Sequence, residues 1–150
     1  MNAIAVAAPA GSRQLHKFGG SSLADVKCYL RVAGIMAEYA KPGDMMVVSA
    51  AGSTTNQLIS WLKLSQTNRI SAHQVQQTLR RYQSVLITGL LPPEMAEPLI
   101  PSSLHDLERL AVLLVGKITD AIYAEVVGTG DVCVSALLSP CLVNRDFPAV

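Results

Sequence analysis

The sequence predicts an α/β fold in which a parallel β-α-β unit is followed by a helix-rich remainder. Two short apolar runs, Gln14–Phe18 and Met45–Ala51, flank a helical pattern, and about 35 residues of strand, helix and strand make a β-α-β unit with parallel strands. After the second run the spacing of apolar residues is almost wholly helical. Half of the 150 residues are apolar and 15% are charged, a composition typical of one globular domain with a core.

The elements of the β-α-β unit follow from local signals. We predict a first strand over about residues 13–18, preceded by a loose tail of residues 1–12. Ser22 with Asp25 three positions later predicts a capping box at the start of a helix. The turn signal Lys41–Asp44 predicts that this helix ends near residue 39. The second strand, Met45–Ala51, is apolar throughout, which indicates a strand buried on both faces.

Prolines and glycines divide the rest of the chain into predicted helices. Ser71 with Gln74 predicts the start of a helix that runs to about residue 88, and Pro98 with Pro101 predicts a turn. Because two strands do not make a self-sufficient sheet, we expect the missing strands to come from another copy or a larger domain. The other predicted helical segments are the run after Asn56, residues 103–116, residues 118–127, and a weak run Asp131–Asn144 interrupted by Pro140.

Charge and cysteine content argue against several classes of protein. A net charge of +1 gives no argument for binding nucleic acid or an anionic membrane. Three cysteines without CxxC spacing favour free thiols in a reducing cytoplasm over structural zinc or a disulfide framework. No apolar run approaches the roughly 20 residues of a spanning helix. We therefore predict a cytoplasmic protein with no membrane segment and no metal site.

The stretch Lys17–Ser22 predicts an anion site. Gly19 and Gly20 let backbone N–H groups approach a ligand without a Cβ in the way. Ser21 and Ser22 follow where a helix N-terminus presents free donors and a positive dipole end. An ordinary strand-to-helix turn with a capping serine and a solvated lysine would give the same pattern, and the spacing alone leaves both interpretations open.

A second polar turn follows the second strand. Ser49, Thr54, Thr55 and Asn56 lie between that strand and the next helix. Ligands of open α/β sheets bind at the carboxyl ends of strands, so we expect both turns to face one crevice. Helix capping is the alternative role for these residues. Walker A, GxGxxG, HExxH and GxSxG motifs are all absent from the sequence.

Together the two turns resemble the aspartokinase family. Lys17–Ser22 matches the N-terminal motif of that family, and Val48–Leu58 resembles its second motif, a serine-alanine run that leads to threonine-asparagine and a helix. The resemblance implies a three-layer αβα amino-acid-kinase-like fold. Residues 13–150 would be its N-terminal, helix-rich, aspartate-binding lobe, ending before the ATP-binding lobe.

The resemblance also implies a reaction, the transfer of phosphate from ATP, with Mg²⁺, onto the side-chain carboxylate of L-aspartate in the lysine, methionine and threonine pathway. Lys17 would stabilise the transferring group. Asp131 stands where the family has glutamate, so its carboxylate would reach about one methylene less far. The matching positions are Gly19, Gly20, Ser21 and Ser22 for phosphate, and Ser49, Thr55 and Asp131 for aspartate.

The end of the sequence departs from the family pattern. Ser135-Ala136 falls one place late, Pro140 interrupts the helix, and Asp146 stands where glycine is usual. Because the nucleotide-binding wall would lie beyond residue 150, we expect little or no turnover from this chain alone. NADP would belong only to the dehydrogenase half of family members that carry one. We also expect a homo-oligomer formed through apolar helices. The alternative hypothesis is a non-catalytic helical dimerisation or interaction module of kinase ancestry.

Overall fold

The computed structural model describes residues 13–143, without the side chains of residues 101–105. The predicted parallel β-α-β start is confirmed, since β1 and β2 pair in parallel with Leu15 opposite Met45 and Phe18 opposite Val48. The predicted tail and the residues after Val143 lie outside the described range. In chain order the elements are β1 (Leu15–Phe18), a 3₁₀ turn (Gly20–Leu23), α1 (Val26–Tyr39), β2 (Met45–Val48), α2 (Thr54–Thr67), α3 (Arg69–Leu90), α4 (Pro93–Leu113) and α5 (Asp120–Val143).

The two strands have one covered face and one open face. Phe18, Met46 and Val48 pack against the core, whereas Met45 and Val47 are exposed on the other side. The prediction that the second strand is buried on both faces is therefore wrong. Within residues 13–143 helices cover one side of this small sheet, and β2 ends at Val48 rather than at Ala51.

Asp25, not Ser22, is the residue that caps α1. The amide of Ser22 donates to the carbonyl of Gly19 at 2.9 Å inside the 3₁₀ turn. The Asp25 side chain accepts from the amide of Cys28 at 2.8 Å, so the predicted capping box is wrong. The start predicted from Ser71 is displaced in the same way, because Asn68 caps α3 by accepting from the amide of Ser71 at 3.1 Å.

The last two helices are longer than predicted. The turn expected at Pro98 and Pro101 is absent, and α4 continues through both prolines. The break expected at Gly128–Gly130 is also absent, and α5 runs for 24 residues with Pro140 inside it. An interior proline costs about 3 kcal/mol. Burial of apolar side chains along both helices, such as Leu110 and Leu138, offsets that cost.

Two hydrophobic clusters form the core of the described residues. The first joins α1, the carboxyl half of α3 and the carboxyl half of α5, and the covered face of the sheet packs on it. The second joins α2 with parts of α3 and α4 and with the first half of α5. Their most deeply buried members are Leu23, Tyr29, Val32, Leu138, Cys141 and Leu142 in the first, and Leu58, Leu79, Leu107, Leu110 and Val126 in the second.

Within residues 13–143 one helix, α5, is long and apolar enough to cross a membrane, judged by length and composition only. In the fold it contacts α1, α2, α4 and β2. A core helix of a globular domain passes the same test, so this finding is weak support for a spanning segment.

The carboxylate of Asp44 fixes the turn between α1 and β2. It accepts hydrogen bonds from the amides of Gln14 at 2.8 Å and Lys41 at 2.9 Å. The imidazole Nε2 of His16 lies 3.2 Å from Oδ2 of Asp44, the atom that the Lys41 amide also reaches. These backbone donors first, and His16 after them, lower the pKa of Asp44 to about 2.

We expect this carboxylate to make the fold acid-sensitive in a defined window. A depressed pKa contributes stability that is complete above the ordinary value of 3.8 and lost as the pH falls through about 2. Chemical denaturation at a series of pH values measures this loss. In the Asp44→Asn variant the slope of unfolding free energy against pH should be smaller in that window, and an unchanged slope would contradict the assignment.

Candidate functional site

Lys17 and Ser49 meet at the carboxyl ends of the paired strands. The Nζ atom of Lys17 donates to Oγ of Ser49 at 2.7 Å and to the carbonyl of Phe18 at 3.1 Å. Parallel pairing of β1 with β2 places Lys17 opposite Val47, two residues before Ser49, and the amide of Ser49 donates to the carbonyl of Phe18 at 3.2 Å. The expectation that both polar turns share one crevice agrees with this contact. Lys17 is exposed, so its ammonium group is accessible to a ligand.

Gly20 allows the two turns to touch through their backbones. A Cβ at this position would lie 2.6 Å from the carbonyl oxygen of Ala50 and 3.1 Å from that of Gly52. The amide of Gly52 donates to the carbonyl of Gly20 at 2.9 Å. Glycine at position 20 is therefore required for the close packing of the two turns. Gly19 differs, because a Cβ added there would meet no atom within 4 Å.

Asp131 reaches the site from the middle of α5. Its Oδ1 atom accepts from the amide of Ala50 at 2.6 Å, next to Ser49 in the chain. Gly130 makes this approach possible, because a Cβ there would lie 2.9 Å from Cβ of Ala50. The carboxylate thus ties α5 to the turn after β2. Its position agrees with the predicted neighbourhood, although it lies inside a helix and not near the start of one.

The remaining predicted residues surround this centre. Ser21 and Ser22 lie in the 3₁₀ turn, and Thr55 is the second residue of α2. Their side-chain hydroxyls form no hydrogen bond with another described residue, so they are free to bind a ligand. The site therefore combines one cation, one carboxylate and several unengaged hydroxyls on two turns.

Tyr82 is a site-supporting residue that the sequence pattern missed. Its hydroxyl donates to the carbonyl of Ala24 at 2.9 Å, directly after the 3₁₀ turn. It also lies 3.2 Å from where a Cβ of Gly52 would stand, and Gly52 has φ of +54°. Burial raises the pKa of Tyr82, so the hydroxyl stays protonated and remains a donor. Helix α3 thereby braces both turns.

Removal of the Tyr82 hydroxyl should break its hydrogen bond to the Ala24 carbonyl and leave the packing of the ring unchanged. For Tyr82→Phe we expect unfolding free energy to fall by about 0.5–1.5 kcal/mol, the net worth of a typical hydrogen bond. Tyr123→Phe, on the exposed side of α5, is the matched control, and its change should stay within about 0.5 kcal/mol. Urea denaturation compares them; equal effects would show that the Ala24 contact contributes nothing.

The chemistry available here suits an anionic ligand. A lysine beside open backbone donors stabilises phosphate oxygens, and α2 presents its N-terminus at the second turn. No cluster of three or more histidine, cysteine or acidic side chains able to hold a metal occurs among the described residues. The free thiols lie elsewhere, at Cys28, Cys133 and Cys141.

Two strand-to-helix turns at the carboxyl ends of parallel strands are the usual place for a ligand in an α/β domain. The sequence profile of the amino acid kinase family matches residues 12–144. The chain therefore belongs to the amino acid kinase family.

Two curated proteins narrow the resemblance within that family. Over 149 residues the chain is 70% identical to bifunctional aspartokinase/homoserine dehydrogenase 2 of Escherichia coli (strain K12), covering 99% of this chain and 18% of that protein. It is 25% identical over 146 residues to the bifunctional aspartokinase/homoserine dehydrogenase of Buchnera aphidicola (subsp. Acyrthosiphon pisum, strain APS), covering 89% of this chain and 17% of that protein. The resemblance to aspartokinases is confirmed, and the chain spans less than a fifth of either relative.

Solved structures confirm the predicted fold. The chain matches E. coli aspartokinase III in complex with aspartate and ADP with a TM-score of 0.77, over 90% of this chain and 30% of that one. It matches the same enzyme in complex with lysine and aspartate with a TM-score of 0.78, over 91% of this chain and 30% of the other. Identity is 23% in both cases, so these matches establish the amino-acid-kinase fold.

Proposed function

We propose that this chain is the aspartate- and phosphate-binding part of an aspartokinase, which transfers phosphate from ATP to the side-chain carboxylate of L-aspartate. The observation that carries the proposal is the 2.7 Å contact between Lys17 Nζ and Ser49 Oγ, because it joins the phosphate turn to the hydroxyl-rich turn. The identity of 70% to an E. coli aspartokinase/homoserine dehydrogenase supports the same substrates.

The second turn and α5 suit the amino acid. Ser49 and Thr55 present hydroxyls, and the first amides of α2 add donors for a carboxylate. One carboxylate oxygen of Asp131 accepts a hydrogen bond from the Ala50 amide. The other oxygen would accept a hydrogen bond from the α-ammonium group of aspartate. The complex of E. coli aspartokinase III with aspartate and ADP, whose fold this chain shares, supports aspartate and a nucleotide as the ligands.

The first turn suits the phosphates of ATP. Gly19 and Gly20 leave backbone groups open, Ser21 and Ser22 add hydroxyls, and Lys17 supplies the positive charge. Mg²⁺ would be held largely by the phosphate oxygens of ATP and by water, and would add positive charge at the transferring group. NADP has no role in this part of the proposal.

The mechanism follows from these positions. A side-chain carboxylate oxygen of aspartate attacks the γ-phosphorus of ATP. The new O–P bond forms while the bond to the β-phosphate oxygen breaks, and ADP leaves with that electron pair. Phosphoryl transfer of this kind depends on alignment and charge stabilisation. Lys17 stabilises the charge on the transferring group, and Ser49 orients that ammonium through their hydrogen bond.

A chimera tests the proposal directly. The matching 149 residues of the E. coli relative are replaced by those of this chain, and aspartate-dependent ADP release is measured. We expect kinase activity from the chimera and little or none from the 150-residue chain alone. Homoserine dehydrogenase activity of the chimera is the control for folding. A chimera that retains the dehydrogenase but lacks the kinase would contradict the proposal.

The second candidate is a homo-oligomeric interaction module without catalysis. Exposed apolar side chains favour it, with Met45 and Val47 on the open sheet face and Val112 and Val132 on helices. Static light scattering of the chain separates the candidates. A discrete dimer together with an inactive chimera would support the module. The cytoplasmic location stays a prediction.

A further inference from the structure

A cavity of about 100 Å³ lies behind the ligand turns, between α3 and α5. Its wall is mainly apolar, with few polar atoms among its lining. Thr54 and Gly130 connect it to the site, because both line it and a Cβ at Gly130 would lie 3.3 Å from Cγ2 of Thr54 and 2.9 Å from Cβ of Ala50. The apolar lining includes Tyr29, Leu86, Ile87, Leu99, Val134 and Leu137.

Two buried polar side chains that line this cavity each have one oxygen without a hydrogen-bond partner among the described residues. Thr54 is 6% exposed and Gln83 is 9% exposed, and both line the cavity. Neither Oγ1 of Thr54 nor Oε1 of Gln83 has a hydrogen-bond partner among the described residues. The amide nitrogen of Gln83 is engaged, since it donates to Sγ of Cys133 at 3.2 Å. A buried acceptor left unpaired is unfavourable, which points to a donor that the cavity takes in.

We propose that this cavity binds a small uncharged molecule with an apolar body and one hydroxyl, which donates to Gln83 Oε1 and has the hydroxyl of Thr54 as its second polar contact. Its volume is somewhat below the about 150 Å³ of an apolar cavity that holds benzene. The ligand is therefore about the size of a four-carbon alcohol. The apolar wall suits its hydrocarbon part, and the two oxygens fix the orientation of its hydroxyl.

The charges around the cavity are consistent with a neutral ligand. Among the described lining residues Asp106 is the charged one, and it is partly exposed to solvent. Burial raises the pKa of the Cys133 thiol to about 11, so this group is neutral near pH 7. Apart from Asp106, the described lining thus carries dipoles rather than charges.

Two isomers that differ in donor capacity test the proposal. The ¹⁵N-labelled 150-residue chain is titrated with 1-butanol and, separately, with diethyl ether, which has the same formula but cannot donate a hydrogen bond. We expect saturable shifts of the Ala51 and Thr54 amide signals with 1-butanol, and affinity for the ether about tenfold weaker. Equal affinity for both, or no saturation with 1-butanol, would overturn the proposal.

Substitutions in the lining make the test specific. Gln83→Leu should weaken 1-butanol binding about tenfold and leave ether binding unchanged. Gln74→Leu, exposed on the same helix, is the matched control and should bind as the unaltered chain does. If Gln83→Leu does not fold, Thr54→Val, which keeps the side-chain shape, replaces it. A crystal soaked in 1-butanol that contains only ordered water in the cavity would also overturn the proposal.

Discussion

Replacement of Lys17 by alanine is expected to lower kcat for aspartate phosphorylation by about 100- to 1,000-fold, the range for removal of one donor to developing charge. The measurement uses the chimera with the E. coli relative, in which aspartate-dependent ADP release is followed. The reason lies in the geometry. The Lys17 ammonium is exposed, and its hydrogen bonds to other described residues are those to Ser49 Oγ and the Phe18 carbonyl, so its loss removes charge from the site and not packing from the core.

The control for this prediction is another exposed lysine. Lys63→Ala lies on an exposed position of α2, eight residues beyond Thr55, and should leave kcat unchanged. Both variants should unfold within about 0.5 kcal/mol of the unaltered protein, as exposed substitutions do. If Lys17→Ala kept full activity, its catalytic assignment would be wrong. If it lost stability instead, its hydrogen bond to Ser49 would be structural.

Local signals are enough to predict the part of the fold near the site. The two paired strands are close in the sequence, because a single helix connects them. The apolar runs at residues 15–18 and 45–48 are each flanked by turn residues, which mark where the strands end. Helix ends are harder to predict. Both Ser22 and Asp25 are good capping residues, and the choice between them depends on the 3₁₀ turn, which tertiary contacts of Gly20 with Ala50 and Gly52 favour.

The long-range part of the site does not follow from local patterns. The low helix propensity of glycine predicts a break at Gly130, whereas in the fold this residue lets α5 approach Ala50. The hydrogen bond from the Ala50 amide to Asp131 joins residues 81 positions apart. Tyr82 similarly braces turns that lie far from it in the chain. A pattern of apolar spacing contains no information on such pairs, whereas a family motif identifies Asp131.

Gly20→Ala is expected to destabilise the fold by about 1–3 kcal/mol, the range for overpacking. The added Cβ would lie 2.6 Å from the carbonyl oxygen of Ala50, and backbone cannot move aside as a flexible side chain would. Relief of this clash would separate the two turns and stretch the 2.9 Å bond from the Gly52 amide to the Gly20 carbonyl. Urea denaturation gives the stability, and the chimera assay gives the accompanying loss of turnover.

Gly19→Ala is expected to reduce turnover without reducing the stability of the fold. Its Cβ would meet no atom within 4 Å, and Gly19 has φ of −83°, which any residue adopts. We therefore expect stability to change by less than about 0.5 kcal/mol, since the site is open. Turnover should still fall, because the methyl group would stand where phosphate approaches the backbone. If both variants lost stability equally, the requirement for glycine would be conformational at both positions and the steric argument for Gly20 would fail.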